Sequence, residues 1–295
     1  MKRTVINDVR DFNLDHIFDC GQCFRWKKEK DGSYTGTALG KILNLNFEYD
    51  EGSDSTGSLI LNGINKSEFD NTWKTYLDLD RDYSKIKYEL AAKDPVIKEA
   101  ITKGRGIRIL QQDLWETIVS FIISQNNNIP RIKGCIEKLC NLFGEEAENE
   151  ISELNIEGSD ASFSELKACN VPTPEKLAGL TVDDLSEVRL GYRARYLIES
   201  ANQVLEKGMP QTYEELCALT GVGPKVANCI LLFGLGDMRS FPIDVWVKRV
   251  MNRMYGIEEN KTKEMKEFAA ETFGDLGGIA QQYLFYYIRE MDKQR

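Results

Sequence analysis

The sequence predicts an α+β protein, an N-terminal antiparallel β-sheet domain with helices over residues 1–112 followed by a mostly helical region over 113–295. Three observations carry this. Between Thr4 and Asn62 short runs rich in β-formers are separated by Gly- and Asp-rich turns such as Asp31-Gly32 and Glu51-Gly52-Ser53. From Asp113 onward the apolar residues recur at helical spacing between capping residues. Within that half, Leu219 to Val247 reads as a helical hairpin followed by a returning loop.

In chain order, strands are expected at 23–28, 33–39, 42–49 and 59–62. Alternation through Leu43, Leu45, Phe47 and Tyr49 marks one buried face. Helices follow at 66–79, 83–92 and 95–102. Asp113 with Glu116 has N-cap spacing, and Leu114 to Ser124 is apolar almost all round, as a helix inside a bundle would be. Gln125-Asn126-Asn127-Asn128 interrupts it, and 129–143 resumes with Pro130 near its start and Gly144 after its end. Glu145 to Glu165 is acidic and is expected to be a solvated loop pointing away from any polyanion. Short helices at 174–179 and 182–188 precede a longer one opened by Leu190–Tyr196 and running to Lys207. The last two are expected at 263–273 and 279–292.

The hairpin is the most informative stretch. Thr212 and Glu215 have capping-box spacing, so a short helix is expected over 213–220. Gly221-Val222-Gly223 stops it with backbone that turns tightly and leaves N–H groups bare. Pro224 suits a first helical position, and Lys225 to Phe233 continue as an apolar helix whose unpaired first amides attract a phosphate. Asp244, after Pro242, is placed to cap a helix over 245–254. Two helix starts can therefore face each other, one with an amine and one with a carboxylate. Taken alone, Gly-Val-Gly-Pro-Lys is an ordinary αα-hairpin, and an Asp before a helix is usually only a cap.

Composition narrows the chemistry. The chain has 295 residues, 42% hydrophobic and 29% charged, with no run apolar enough to cross a membrane and no signal-peptide h-region behind the charged start. Seven dispersed cysteines suit a reducing compartment, so a cytoplasmic or nuclear location is expected. Cys20 and Cys23 form a single C-x-x-C without a second pair, which argues against zinc. His16 is the one histidine, so a multi-histidine metal site is excluded. A net charge of −9 argues against non-specific coating of DNA, though not against local contact through amides and a few cations.

Four stretches resemble the 8-oxoguanine DNA glycosylases of the helix-hairpin-helix superfamily: Gly21-Gln22-Cys23-Phe24-Arg25-Trp26, Ser124 to Arg131 (SQNNNIPR), Leu190 to Tyr196 (LGYRARY) and LTGVGPKVANC around the hairpin. The resemblance covers nearly the whole chain. It implies Lys225 as nucleophile and Asp244 as its acidic partner. It further implies that the Gly21 carbonyl accepts from the N7–H of the oxidised base, that Cys229 and Phe285 sandwich the flipped base, and that Gln281 meets its Watson–Crick edge. Asn126, Arg131 and Arg193 would hold the estranged cytosine, with Tyr192 wedged beside it and Gly221 and Gly223 on the phosphate backbone. Trp246 departs from the pattern, since eukaryotic members carry a histidine near the 5′ phosphate there; with the compact N-terminal portion this points to a bacterial or archaeal branch. The C-terminal end lacks the four cysteines of endonuclease III relatives, so no iron–sulfur cluster is expected.

The implied partner is double-stranded DNA containing 8-oxoguanine, preferably opposite cytosine, acted on by a monomer with no membrane contact. No organic cofactor is implied, and a cation bridging hairpin carbonyls and phosphate is left open. Two rivals stand beside this. A monofunctional or differently targeted glycosylase usually lacks a lysine at the hairpin, and a non-catalytic DNA-binding module explains Gly221 and Gly223 but not Lys225 with Asp244.

Overall fold

The structure is a computed structural model describing residues 2–152, 154 and 168–293. Its first part contains β1 (Arg3–Val9), α1 (Leu14–Phe18), β2 (Trp26–Lys28), β3 (Tyr34–Ala38), β4 (Lys41–Tyr49) and β5 (Gly57–Asn62). The strands pair antiparallel in the order β1-β5-β4-β3-β2. Leu43, Leu45 and Phe47 are buried as the alternation requires, whereas Tyr49, at the end of β4, is largely exposed. The opposite face is also used. Asn62 Nδ2 donates to Asn44 Oδ1, and Asn44 Nδ2 donates to the hydroxyls of Ser33 and Thr35, a buried polar ladder that satisfies its own members.

Residues 66–76 are helical throughout, as α2 (Lys66–Glu68), a π-turn over Phe69–Trp73 and α3 (Lys74–Tyr76). Trp73 and Tyr76 close the sheet's apolar face, and Trp26 Nε1 donates to the Tyr76 hydroxyl at 3.0 Å. The next helices, α4 (Tyr83–Lys93) and α5 (Pro95–Lys103), bury Tyr83, Ile86, Leu90, Ile97 and Ile101 in the second, helical core.

That core is filled by α6 (Leu114–Ser124) and α7 (Ile129–Phe143), which keep the boundaries expected from Asp113, Pro130 and Gly144. The acidic stretch departs from expectation. Glu148–Asn149 forms β6, parallel to Lys41–Ile42 of β4, and Ala147 and Ile151 bury against Ile42. Two apolar anchors and the partners Lys41 for Glu148 and Lys2 for Glu150 draw it onto the start of the central strand β4, where β5 does not yet pair. Residues 153 and 155–165 of the expected loop lie outside the described residues.

After α8 (Pro174–Ala178), residues 182–185 of the expected 182–188 helix form turns and only Ser186–Val188 is helical, as one 3-10 turn. Arg189 and Gly191 both have positive φ, which ends it and delays the next helix, α9 (Arg193–Lys207). Then come α10 (Tyr213–Ala218), α11 (Pro224–Gly234), α12 (Val245–Tyr255), α13 (Thr262–Phe273) and α14 (Gly277–Lys293).

Candidate active site

The hairpin is set by sterics on one side and left open on the other. Thr212 caps α10 by accepting from the Glu215 amide at 3.2 Å, while Glu215 accepts from the Gln211 amide at 2.7 Å. Gly221 has φ +83, and a Cβ there would come within 2.4 Å of Tyr196 Cδ2, so both conformation and space demand glycine. Gln125 Nε2 donates to the Gly221 carbonyl at 2.8 Å, tying the SQNNN stretch to the hairpin. Gly223 is exposed and caps α11 with no side-chain bond, and space is open around it. The first amides of α11 therefore face outward, the arrangement that receives a phosphate.

Lys225 is the second residue of α11 and is half-buried, with Nζ 5.3 Å from the centroid of the Phe121 ring. Asp244 caps α12, its Oδ1 accepting from the amides of Trp246 and Val247 at 2.9 and 2.8 Å. Burial pushes the Asp244 carboxyl above the usual carboxylate range, and the Val247 amide and the Lys225 charge pull it partly back. One turn along α11, burial raises the Cys229 thiol, with Lys225 opposing and Asp244 adding to the shift. The amine, the carboxylate and the thiol thus share one electrostatic neighbourhood. No ion pair of 4.0 Å or less joins Lys225 to a carboxylate among the described residues.

A second cluster adjoins the first through three residues of chain. Gly21, at φ +78, lies so close to Phe285 that a Cβ would sit 3.3 Å from Phe285 Cζ. Phe24, three positions on, meets Phe121 edge to face at 5.7 Å, and Phe121 is the ring beneath Lys225. Gln22 between them is wholly buried; its side chain donates to the carbonyls of Ile17 and Arg108 and accepts from the Leu110 amide. From α14, Arg289 donates to Asp19 at 2.9 Å and stacks over Phe285 at 5.7 Å, pinning the segment that carries Gly21. Gln281 and Cys229 are each only 3% exposed.

The third group lies around the break after α6. Asn126 has φ +46, and Arg193 reaches beneath it: Nη2 donates to the Asn126 carbonyl at 3.0 Å, Nε to the Gln125 carbonyl at 2.9 Å and Nη1 to the Leu190 carbonyl at 3.1 Å. Arg193 is only 5% exposed. Arg131, by contrast, is exposed and donates to the Arg189 carbonyl at 3.3 Å. Tyr192 projects with 51% of its surface exposed, between the Arg193 guanidinium at 4.6 Å and the Tyr196 ring at 5.3 Å. Trp246 is half-buried and carries the Arg249 guanidinium on its face at 4.6 Å, which supplies beside the indole a charge that the indole lacks.

The model of the 8-oxoguanine DNA glycosylase N-terminal domain matches residues 4–118, and that of the HhH-GPD superfamily of base excision DNA repair proteins matches residues 119–274. The chain belongs to the 8-oxoguanine DNA glycosylase family. It is 41% identical to MBOgg1, solved in complex with a low-affinity DNA ligand, with a TM-score of 0.86 over 99% of this chain and 97% of that one. With the Clostridium acetobutylicum 8-oxoguanine glycosylase/lyase, solved with dsDNA containing cytosine opposite 8-oxoG, it shares 37% identity and a TM-score of 0.86, covering 99% and 96%. A probable N-glycosylase/DNA lyase of Methanothermobacter thermautotrophicus is 31% identical over 67% of this chain and 68% of its own length.

In this member of the glycosylase family several site residues escape a reading of motifs. Phe121 was legible only as one apolar residue in a buried helix. Gln22 and Gln125 stand inside the recognised stretches, yet nothing in their spacing shows that one clamps residues 108–110 and the other bridges to the hairpin. Arg249 and Arg289 sit one turn after Trp246 and Phe285, and that i, i+3 or i, i+4 placement was the available signal.

Proposed function

We propose that this glycosylase flips 8-oxoguanine out of duplex DNA, preferably from opposite cytosine, excises it and nicks the strand. The observation that carries the reading is the placing of Lys225 and Asp244 at the starts of α11 and α12 in one partly buried neighbourhood, joined through Phe121 and Phe24 to the Gly21–Phe285 contact.

The chemistry follows from those groups. A base inside a duplex is out of reach, so it is extruded at a cost of a few kcal/mol. The Gly21 carbonyl accepts from N7–H, which guanine lacks; Phe285 and Cys229 flank the ring, and Gln281 meets its Watson–Crick edge. The Lys225 amine attacks C1′. The C1′–N9 bond breaks, its electron pair leaves with the base, which takes up a proton, and the sugar ring opens to a Schiff base. Loss of a proton from C2′ then expels the 3′ phosphate by β-elimination. Asp244 stabilises the positive charge that develops on the sugar at the transition state. The amide-rich start of α11 and the guanidinium on Trp246 hold phosphates, Arg131 faces the estranged cytosine, Tyr192 wedges beside it, and Arg193 shapes the Asn126 turn.

Amine and carboxylate suffice for these steps, so the reading includes no organic cofactor. A cation bridging the hairpin carbonyls and phosphate is compatible with it, since the Gly221 carbonyl accepts one bond from Gln125 and keeps a second lone pair. We take the working unit to be a monomer, acting in the cytoplasm, or in the nucleus if the source is eukaryotic. No described helix is long and apolar enough to cross a membrane.

Borohydride trapping on a duplex with one 8-oxoguanine opposite cytosine tests the reading. A covalent adduct is expected with the lesion and intact Lys225, and none with undamaged duplex or Lys225→Gln. Base release without an adduct would replace the Schiff base with a monofunctional mechanism through Asp244. Binding with neither would overturn the catalytic assignment.

A further inference from the structure

Gln281 and Gln282 are neighbours on α14, each about 3% exposed. Gln282 Nε2 donates to Gln281 Oε1 at 2.9 Å. Gln282 Oε1, the Tyr283 hydroxyl and Arg289 Nη1 are the three buried side-chain polar atoms without a partner among the described residues, and all lie on this helix. The direction of the Gln282 to Gln281 bond therefore has a physical cause. Reversing it would turn the Gln282 amide nitrogen into the buried position where its oxygen now lies unpaired, and an orphaned donor is less tolerated than an orphaned carbonyl oxygen.

That direction bears on which base is read. A glutamine amide shows an acceptor and a donor side by side, in an order that reverses when the amide flips. A guanine-type edge offers the O6 acceptor beside the N1–H donor, whereas an adenine-type edge offers the N6–H donor beside the N1 acceptor. One setting of Gln281 fits each edge. The N7–H contact at Gly21 cannot separate them, because 8-oxoadenine carries that hydrogen as well as 8-oxoguanine. With Gln281 Oε1 held by its neighbour, a flip would set Nε2 against Nε2, two donors facing each other in a buried site.

We propose that Gln282 is a positioning residue that locks the Gln281 amide in the setting that accepts a guanine-type edge, and so makes the pocket reject 8-oxoadenine. This rests on the reading above in which Gln281 meets the Watson–Crick edge. Removing the lock leaves Gln281 in place but free to turn. The discrimination between the two oxidised purines then falls, by at least about tenfold of the 10⁴ or more that a site with fixed polar partners can impose.

The test compares kcat/KM for excision of 8-oxoguanine and 8-oxoadenine from otherwise identical duplexes by the full chain, Gln282→Met and Gln282→Ala. Strand cleavage at a pre-formed abasic site, which has no base to read, reports that each variant is folded. In a folded variant the 8-oxoadenine to 8-oxoguanine ratio is expected to rise at least tenfold, mainly through gained 8-oxoadenine excision. Met keeps the volume and Ala removes it, so a rise in both assigns the effect to the lost donor. An unchanged ratio in either folded variant overturns the lock. Gln281→Leu separates this from failure of the underlying reading. If that variant keeps wild-type 8-oxoguanine excision, Gln281 does not read the base at all and the lock falls with it; if it loses excision while the Gln282 variants keep their ratio, only the lock is wrong.

Discussion

Lys225 and Arg193 are both cations in the first turn of a helix, yet their surroundings are opposite. Lys225 rests half-buried on the face of Phe121 beside Cys229, with its helix start open toward Gly223. Arg193 is buried, and its guanidinium is consumed by the carbonyls of Gln125, Asn126 and Leu190. Around Lys225 the amine and the start of its helix are left open, whereas around Asn126 a strong donor is spent on holding a turn in shape. A cation that already satisfies buried carbonyls has little left to offer a ligand directly, so its loss is felt first as stability. The two sides should therefore respond differently to equally severe substitutions.

The largest effect is expected at Asp244. Asp244→Asn keeps a side-chain oxygen that can accept from the Trp246 and Val247 amides, and Asn is as good a cap as Asp, so stability should change by less than about 0.5 kcal/mol. Loss of the charge should lower single-turnover excision by about 10²–10³-fold, the usual range for deleting one preorganised electrostatic contact to a transition state. Asp244→Ala should lose the cap as well, with about 1 kcal/mol of stability read by denaturant titration. The same carboxyl fixes a pH dependence. Burial holds its pKa above the ordinary value, so the ionised form is lost earlier as pH falls, and excision by wild type should decline on the acid side at a higher pH than an exposed carboxylate would produce. That limb should be absent in Asp244→Asn, and an identical profile in the two proteins would remove Asp244 from the chemistry.

Next in size are two substitutions on the supporting side. Arg193→Ala leaves the Gln125 and Asn126 carbonyls without their charged donor and should destabilise the fold by about 2–3 kcal/mol. Gly221→Ala places a Cβ 2.4 Å from Tyr196 at a backbone φ of +83, combining overpacking with strain for a loss of about 2–4 kcal/mol. Both are measured by the denaturation midpoint. A Gly221→Ala protein with the midpoint of wild type would mean that the hairpin relaxes around Tyr196.

The contrast also explains what was legible beforehand. Lys225 and Asp244 lie in one stretch with local signals at both ends, Pro224 at a first helical position and Asp244 before an apolar helix, so their convergence follows from helix starts and a loop long enough to return. The Gly21–Phe285 contact joins the two ends of the chain, and no periodicity links them; only the resemblance placed both in one pocket. The burial of Arg193 was illegible for another reason. Arg-rich LGYRARY fits a phosphate-rich groove, and only the positive φ of Asn126, Arg189 and Gly191 turns the backbone carbonyls toward that guanidinium. Likewise β6 was hidden in an acidic run because two apolar residues, Ala147 and Ile151, outweigh the surrounding charge once the unpaired start of β4 is available. Tyr49 keeps the alternation of β4 but extends past the apolar layer into solvent.

Arg131 sharpens the comparison with the smallest effect. It has the same guanidinium as Arg193 but is exposed, with a single 3.3 Å bond to the Arg189 carbonyl, so Arg131→Ala should change stability by less than about 0.5 kcal/mol. Its cost should appear in recognition, as a loss of about 1–2 kcal/mol in binding a duplex with cytosine opposite the lesion and a weaker preference for cytosine over other opposite bases. Fluorescence anisotropy on matched duplexes at two salt concentrations separates the causes. A base-reading role predicts a loss that depends on the opposite base at constant salt, whereas a phosphate contact predicts a uniform loss and a salt slope shallower by about one. A stability loss comparable to that of Arg193→Ala would instead show that Arg131 is part of the scaffold, and the division between supporting and reading cations would fail at that position.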